Sequence, residues 1–358
     1  MTNNSARLGD LATYINGYAF KPTDWGDCGI PIIRIQDLTG NSYQSNRYSG
    51  DYPSKIEVNN GDVLISWSAS LGIYVWQQGK ALLNQHIFKV VFDKLPIDKD
   101  YFVFAVEHKL SEMEAMTHGA TMKHIVKRDF DNTVIPYPAV EKQVQIADKL
   151  RKVTCLITMQ KKQLFLLEQL VKSRFIELFG DPVHNNKEWT TDSVERLCKE
   201  IYGGGTPSKS HPEYYENGNI PWVSSKDMKT DILMDSQIHI NEEGVANSTA
   251  RMVPENSVIM VIRSGILKHT LPVAINAVPI TVNQDLKVFI PGNRVITRFL
   301  AYQFKMLEGD ILSGVRAVTA DNIEFDSLKK RKLIVPPMEL QQQFAAFVAE
   351  VDKSKFAA

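Results

Sequence analysis

The stretch "PAVEKQVQIADKLRKV", Pro138 to Val153, is answered by "PPMELQQQFAAFVAEV", Pro336 to Val351. Each sets a proline before an apolar residue and places a glutamine five positions after its first proline, Gln143 and Gln341. Each then continues as an amphipathic helical run. The offset is 336 − 138 = 198 residues. Three further pairs extend the echo. "GIPIIRIQDL" from Gly29 matches "NIPWVSSKDM" from Asn219, "VNNGDVLIS" from Val58 matches "VPENSVIMV" from Val253, and "NQHIFKVV" from Asn84 matches "NQDLKVFI" from Asn283. Their offsets drift upward, beginning at 190 for Pro31 and Pro221 (221 − 31) and reaching 199 for Asn84 and Asn283 (283 − 84). Ordered blocks at a slowly drifting spacing mean an internal duplication, with a unit too long for a solenoid repeat.

Composition agrees with two folded modules. A chain of 358 residues exceeds what one core usually serves, and 44% hydrophobic residues with 16 Phe and 12 Tyr can fill two. No apolar run reaches the ~18 residues of a membrane span, and "MTNNSARLGD" lacks the apolar stretch of a signal peptide, so a cytoplasmic location is expected. Cys28, Cys155 and Cys198 form no C-x-x-C pair, and each is expected to be a small buried or half-buried residue. Forty-one basic residues balance 41 acidic ones, which argues against holding nucleic acid by bulk charge and leaves room for a local patch.

Within each copy, short runs such as "VLISW", "IFKVVF", "VIMVI" and "LKVFI" are broken by Gly, Pro, Asn and Asp, as strands and turns are. A helical pattern precedes each final strand, "YFVFAVEHKLSEME" and "TRFLAYQFKMLEG", so the modules are α+β. Between them, Ala139 to Phe179 contains neither Gly nor Pro. Ile146, Leu150, Val153, Ile157, Gln160, Leu164, Leu167 and Val171 step by alternating fours and threes, the seam of a coiled coil, and Gly180, Asp181 and Pro182 stop it. A helix from Glu141 to Leu178 would be ~57 Å long, more than a core helix needs, and reads as a spacer. Gln160 on the seam either fixes register or is a solvated gap. The helix from Glu339 is the expected partner, able to cover only part of the seam, and the rest is a docking surface for another protein. The expected division is 1–138, 139–181, 182–337 and 338–358: module, spacer helix, module, shorter spacer helix.

Catalytic patterns are missing where they would be sought. There is no G-x-x-x-x-G-K-[ST] loop, and "GGG" at Gly203 to Gly205 runs into Thr206 and Pro207, a sharp turn and not a dinucleotide fingerprint. "VIPYP" and "IVPPM" resemble adenine methyltransferase loops only in their prolines. The eight histidines show no metal spacing, and no Ser, His and Asp constellation emerges by pattern, so neither a catalytic nor a metal site is expected.

What remains is a double set of polar and aromatic residues at loop positions. The first module offers Tyr18, Phe20 and Lys21; Arg34 and Gln36; Ser66, Trp67 and Ser68; Asn84, Gln85 and His86; and Lys123. The second offers Thr206, Ser208 and Lys209; Trp222, Ser224, Ser225 and Lys226; Arg263 and Ser264; Asn283 and Gln284; and Arg316. Such residues read base edges and grip phosphates, and they are equally ordinary loop residues. Matching positions favour structural roles: Asp37 and Asp227 as turn closers, Asn84 and Asn283 as bonds to turn backbone. The unmatched Lys21, Trp67, Lys209, Arg263 and Arg316 are better placed for partner contact. "KKRK", Lys329 to Lys332, is a basic patch or, more often, a solvated face.

The P-x-[VLM]-x-x-Q helix openings, "LVKSRFIELFGDP" closing the first helix, and "GYAFK" and "GGTPS" near the module starts resemble the specificity subunit of a type I restriction-modification system, over essentially the whole chain. The resemblance implies a non-catalytic, sequence-specific DNA-binding subunit. Its two target-recognition domains would each read half of a split double-stranded DNA target, separated by coiled-coil-forming helices that dock a pair of methyltransferase subunits. S-adenosylmethionine, ATP and magnesium would be carried by those subunits and by the restriction and translocase subunits that join them, with no cofactor on this chain. In that family the second helix is about as long as the first; here it is shorter. A protein-binding scaffold built from duplicated modules is the alternative reading, and salt-dependent DNA binding separates the two.

Overall fold

The structure, a computed structural model, describes residues 5–41, 46–115, 124–314, 316–317 and 321–357, with the side chains at 316, 317, 321, 356 and 357 outside the description. Two compact units, residues 1–159 and 160–358, divide the chain. In the first, β1 (Ser5–Arg7), α1 (Leu8–Leu11), β2 (Thr13–Asn16), β3 (Ile30–Ile33), α2 (Ile35–Leu38), β4 (Arg47–Tyr48) and β5 (Glu57–Val58) follow in order. The hairpin β6 (Val63–Ser66) and β7 (Gly72–Val75) leads to β8 (Ala81–Leu83) and β9 (Ile87–Val91). Helices α3 (Lys99–Ala115) and α4 (Lys127–Asn132) and strand β10 (Val134–Pro136) come before the long helix α5 (Val140–Phe179).

An antiparallel sheet, β2-β9-β6-β7, stands between two apolar layers. Because successive strand residues face opposite ways, Val63 and Ile65 of β6 join Phe102, Val106 and Phe130, while Leu64 between them joins Ile33, Ile56 and Leu82 on the other side. Burial on both faces explains why "VLIS" is an apolar run without alternation. The second layer is the mixed sheet β4-β3-β8-β5, in which β3 and β8 are parallel.

The second unit repeats this plan. Its order is β11 (Thr191–Ser193), α6 (Val194–Leu197), β12 (Cys198–Gly203), β13 (Ile220–Val223), β14 (Ile232–Leu233), β15 (His239–Ile240) and α7 (Glu242–Ala246). Then come β16 (Val258–Val261), β17 (Val273–Asn276), β18 (Thr281–Val282), β19 (Leu286–Pro291), α8 (Thr297–Met306) and α9 (Glu308–Ser313). It closes with β20 (Arg316–Ala317), β21 (Asp321–Asn322), α10 (Phe325–Lys330), β22 (Lys332–Ile334) and α11 (Met338–Ala357). Sheet β12-β19-β16-β17 answers β2-β9-β6-β7, with β14 added at its edge, and β15-β13-β18, with β13 and β18 parallel, answers β4-β3-β8. The first and last strands of each module pair antiparallel, β1 with β10 and β11 with β22. The pattern read as one helix over "TRFLAYQFKMLEG" is broken at Leu307, where the backbone leaves helical values (ψ 6°) and α9 begins.

The repeated glutamine has a physical role. Gln143 and Gln341 are fully buried. Gln143 Oε1 accepts from the Asp98 N–H (2.9 Å) just before α3, and its Nε2 donates to the Pro138 carbonyl (2.8 Å). Gln341 accepts from the Ile296 N–H (3.1 Å) just before α8 and donates to the carbonyls of Arg294 (3.0 Å) and Pro336 (2.9 Å). Each side chain ties the opening of a spacer helix to the start of its module's main helix, satisfying backbone groups that burial would otherwise orphan.

Helix α5 ends at Gly180, whose φ of +75° is left-handed and whose N–H caps the Ile176 carbonyl (2.8 Å). A Cβ there would collide with the Asn186 amide, which accepts from the Asp181 N–H (2.9 Å). Near this end Val171, Phe175 and Phe179 are buried against Phe299 of α8 and Phe344 of α11. Along the middle of α5 the seam faces solvent: Val153 is 51% exposed and Ile157 50%, with Leu156, Met159 and Phe165 exposed beside them. The described helices include none long and apolar enough to cross a membrane. Of the cysteines only Cys198 is buried, which pushes its thiol up to about 12; Cys28 and Cys155 are exposed, against expectation, because they lie in a surface loop and on the uncovered stretch of α5.

Candidate nucleic-acid interface

Most of the described loop residues singled out by sequence converge at one end of each module's strands. In the first, the Tyr18 N–H donates to the Leu83 carbonyl (2.8 Å), the Gln85 N–H to the Tyr18 carbonyl (2.9 Å) and the Asn84 N–H to the Ile33 carbonyl (3.1 Å). The loop after β2, the turn between β8 and β9 and the end of β3 are thereby sewn together. In the second, the Gly205 N–H donates to the Val282 carbonyl (3.0 Å) and the Asn283 N–H to the Val223 carbonyl (2.9 Å). Glycine is needed at the seam: a Cβ on Gly17 would strike the Asn84 carbonyl, and one on Gly204 the Val282 carbonyl.

The paired aspartates close turns. Asp37 Oδ2 accepts from the Arg34 N–H (2.7 Å), and Asp227 Oδ2 from the Ser224 N–H (2.8 Å). A constant carboxylate thus holds a turn whose leading residues differ, Arg34 and Gln36 against Ser224, Ser225 and Lys226. The Arg34 guanidinium lies 5.5 Å over the Trp25 ring. Asn283 bonds its own turn, accepting from the Asp285 N–H (3.1 Å), whereas Asn84 Oδ1 is buried with no partner among the described residues.

Burial corrects five assignments. Phe20 (5% exposed), Ser66 (0%), Ser68 (2%), Trp222 (8%) and Asn283 (7%) have almost no surface to offer a ligand. Trp222 supports the Gly203 to Gly205 turn by donating from Nε1 to the Gly205 carbonyl (2.9 Å), and Ser66 donates to the Ser70 carbonyl (2.5 Å). Phe20 packs edge-on between Tyr18 (5.0 Å) and Tyr48 (5.1 Å), which leaves Tyr18 exposed above it. Ser264 caps the turn that follows it, accepting from the Ile266 N–H (3.5 Å).

Lys21, Gln85, Ser208, Lys209, Lys226 and Gln284 are exposed, and Trp67, His86 and Thr206 are half-buried. Thr206 donates its hydroxyl to the Gln284 side chain. Arg263 does not stand free: its Nε (2.7 Å) and Nη2 (2.6 Å) both meet Asp285 Oδ1, which fixes the guanidinium at the end of the β18–β19 turn. Arg316 opens β20, its side chain outside the description, and Lys123 lies outside the described residues. His86 has a left-handed backbone (φ +72°), unusual outside glycine, and its ring abuts Trp67 at 4.9 Å. Burial, and then the neighbouring His124, hold its imidazole below the ordinary histidine value. The "KKRK" run is dispersed, with Lys329 on Asp326 (2.7 Å) and Arg331 on Asp310. Sequence reasoning singled out the stretch that begins at Asn16 but missed Tyr14 and Lys127, which join Asn16 and Trp67 in one pocket; neither a strand residue nor the first residue of a short helix signals that.

Two modules of one plan, each gathering variable polar side chains on a constant frame of turns and each fastened to a helix by the same glutamine, define a duplicated recognition protein. The family model described as "Type I restriction modification DNA specificity domain" matches twice, at residues 2–169 and 186–357, and the chain belongs to that family. It is similar to two Escherichia coli proteins, the type I restriction enzyme EcoR124I/EcoR124II specificity subunit (34% identity over 58% of this chain and 50% of that one) and the EcoBI specificity subunit (30%, over 52% and 41%). The MjaIX specificity subunit of Methanocaldococcus jannaschii is 22% identical over 80% of this chain and 70% of its own. The alignments span about half the length of the Escherichia coli relatives or less. In fold it resembles the crystal structure of a type I restriction-modification system S subunit from M. genitalium, with a TM-score of 0.63 and 13% identity over 100% of this chain and 92% of that one. A second solved chain, from work on complex assembly and conformational transition of the type I R-M system, aligns with a TM-score of 0.52 and 15% identity over 99% and 90%.

Proposed function

We propose that this chain is the non-catalytic specificity subunit of a type I restriction-modification complex, and that each module reads one half of a split duplex target. The observation that carries the reading is the duplicated strand-end cluster, in which the turns are constant and the side chains they present are not. Tyr18, Arg34, Gln36, Trp67, Gln85 and His86 form the first reading surface, with Lys21 at its margin. Thr206, Ser208, Lys209, Lys226, Arg263 and Gln284 form the second, and Lys123 and Arg316 remain candidates on their sequence alone. Arginine held by a carboxylate, as Arg263 is by Asp285, presents a fixed fork of donors to the acceptor edge of guanine.

The exposed apolar length of α5 is the docking surface for two methyltransferase subunits, which carry S-adenosylmethionine, and through them for restriction and translocase subunits that use ATP and magnesium. The complex works in the cytoplasm. The domain limits follow the helix ends, with modules at 1–138 and 182–337. Mapping methylated adenines in DNA from cells that express this subunit with its methyltransferase tests the reading: two short sequences at a constant separation are expected, and methylation without a bipartite site overturns it.

A further inference from the structure

We propose that the first module holds a pocket for one unpaired base of its DNA target, a pocket that the second module fills with its own lysine; this rests on the reading of the modules as DNA-binding. The cavity, of about 440 Å³, is lined chiefly by Tyr14, Asn16, Trp67, Phe88, His124 and Lys127. Its floor is aromatic. Trp67 stacks on Phe88 at 5.7 Å with planes 23° apart, and His124 meets Trp67 at 6.5 Å. The Lys127 ammonium stands 5.3 Å from the Tyr14 ring and 5.8 Å from that of Phe88, and also reaches Asp131. Asn16 Oδ1 accepts from Trp67 Nε1 (3.2 Å), so its NH2 group is the uncommitted half of the amide. Beside Trp67, His86 Nδ1 is buried with no hydrogen-bond partner among the described residues, on a left-handed backbone, the strain and orphaned polarity that mark ligand sites.

The sister module shows what this space is. Phe88 lies opposite Asn16 and Ile65 in its sheet, and Lys287 lies opposite Gly203 and Met260 in the other, so the two are equivalent. Lys127 and Phe325 each open a six-residue helix, three positions after the bridges Ser68 to His124 and Arg263 to Asn322, so they are equivalent too. Ring and cation have exchanged places. In the second module Lys287 lies 4.6 Å over the Phe325 ring, across a site where a Cβ on Gly203 would collide with its ammonium. Burial, with Arg263 and Lys329 nearby, holds that ammonium below the ordinary lysine value, as expected of a charge drawn into the frame.

In the first module the same place is left open over the half-buried Trp67 indole, backed by the buried rings of Tyr14 and Phe88, under an ammonium on the rim. A planar base stacks on the indole, Asn16 meets its edge and Lys127 its phosphate, whereas the methyl of a paired thymine is too small to cover the indole face. Among the described residues no carboxylate lines the pocket, which disfavours a basic peptide as occupant.

The test uses the complex of this chain with its methyltransferase and duplexes carrying the mapped target, with each pair of both half-sites mismatched in turn. A base already unpaired needs no opening, so at one position of the first half-site a mismatch should tighten binding by about tenfold or more, and at none of the second. Asn16→Gly, Phe88→Lys and Lys127→Phe together transplant the second module's lysine and ring and should abolish that gain. Lys127→Trp, a change at an exposed position, should plug the pocket and do the same without touching the core. Mismatches that never tighten binding, or a gain that persists in both variants, overturn the proposal while leaving the bipartite reading intact. Absence of any bipartite target defeats both.

Discussion

Replacing Gln341 with leucine tests whether the repeated glutamine fastens helix to module. The side chain is fully buried and makes three hydrogen bonds to backbone, one accepted and two donated. Leucine fills nearly the same volume and makes none. An orphaned buried group costs about 1–3 kcal/mol, carbonyls toward the low end because they keep a second lone pair, so a net loss of about 3 kcal/mol is expected after the gain from leucine burial. For a unit of this size that lowers the melting temperature by about 6–12 °C. Gln143→Leu removes only two such bonds and should cost about 2 kcal/mol. Calorimetry of the two variants reads the effects directly, each in the transition of its own unit. If Gln341→Leu moves the melting temperature by no more than about 1 °C, or costs less than Gln143→Leu, the glutamines are not the fastening argued above.

Three further outcomes follow from the same structure. Arg263→Ala should weaken binding to the mapped target by about 1–3 kcal/mol and relax one base of the second half-site; titration against single-base variants checks it. His86 has a depressed pKa in the fold, so the unfolded chain binds the extra proton: its contribution is complete above about pH 6.5 and is lost as pH falls below it. His86→Asn removes that titration and suits the left-handed backbone, so its melting temperature should fall less between pH 7 and pH 5 than that of the wild type. Four helical residues inserted near Gln160 to Gln163, where α5 is exposed, lengthen the helix by ~6 Å. Methylated sites should then keep both half-sequences with a spacer longer by about one or two base pairs at ~3.4 Å each, and full methylation at the old spacing would show that α5 is not the ruler.

Much of the architecture was legible because it rests on local rules that occur twice. The glutamine at a fixed step after proline and the aspartate four residues after a strand each have one physical use, and duplication separates them from chance; the long helix ended by glycine is legible from its unbroken pattern. Helix α5 spans Val140–Phe179, close to the Glu141 to Leu178 read from its pattern. The recognition surface was less legible. Phe20 and Trp222 sit in polar loops, and only the packing of distant elements decides whether such rings face outward; here Tyr48 and the Gly205 carbonyl draw them in. Arg263 reads as a free cation until Asp285, in a turn 22 residues on, is seen to clamp it. The exchange of Phe88 and Lys127 for Lys287 and Phe325 was hidden for the same reason. Neither position alone is unusual, and their equivalence appears only when strand register aligns the modules.

Independent reading by the two modules is the central claim, and a module exchange measures it most directly. Residues 183–335 are replaced by the matching segment of a relative with a different target, and methylated adenines are mapped genome-wide with the same methyltransferase. One half of the bipartite sequence should change to the relative's half while the other half and the spacing stay as they were. Simultaneous change of both halves would contradict the account.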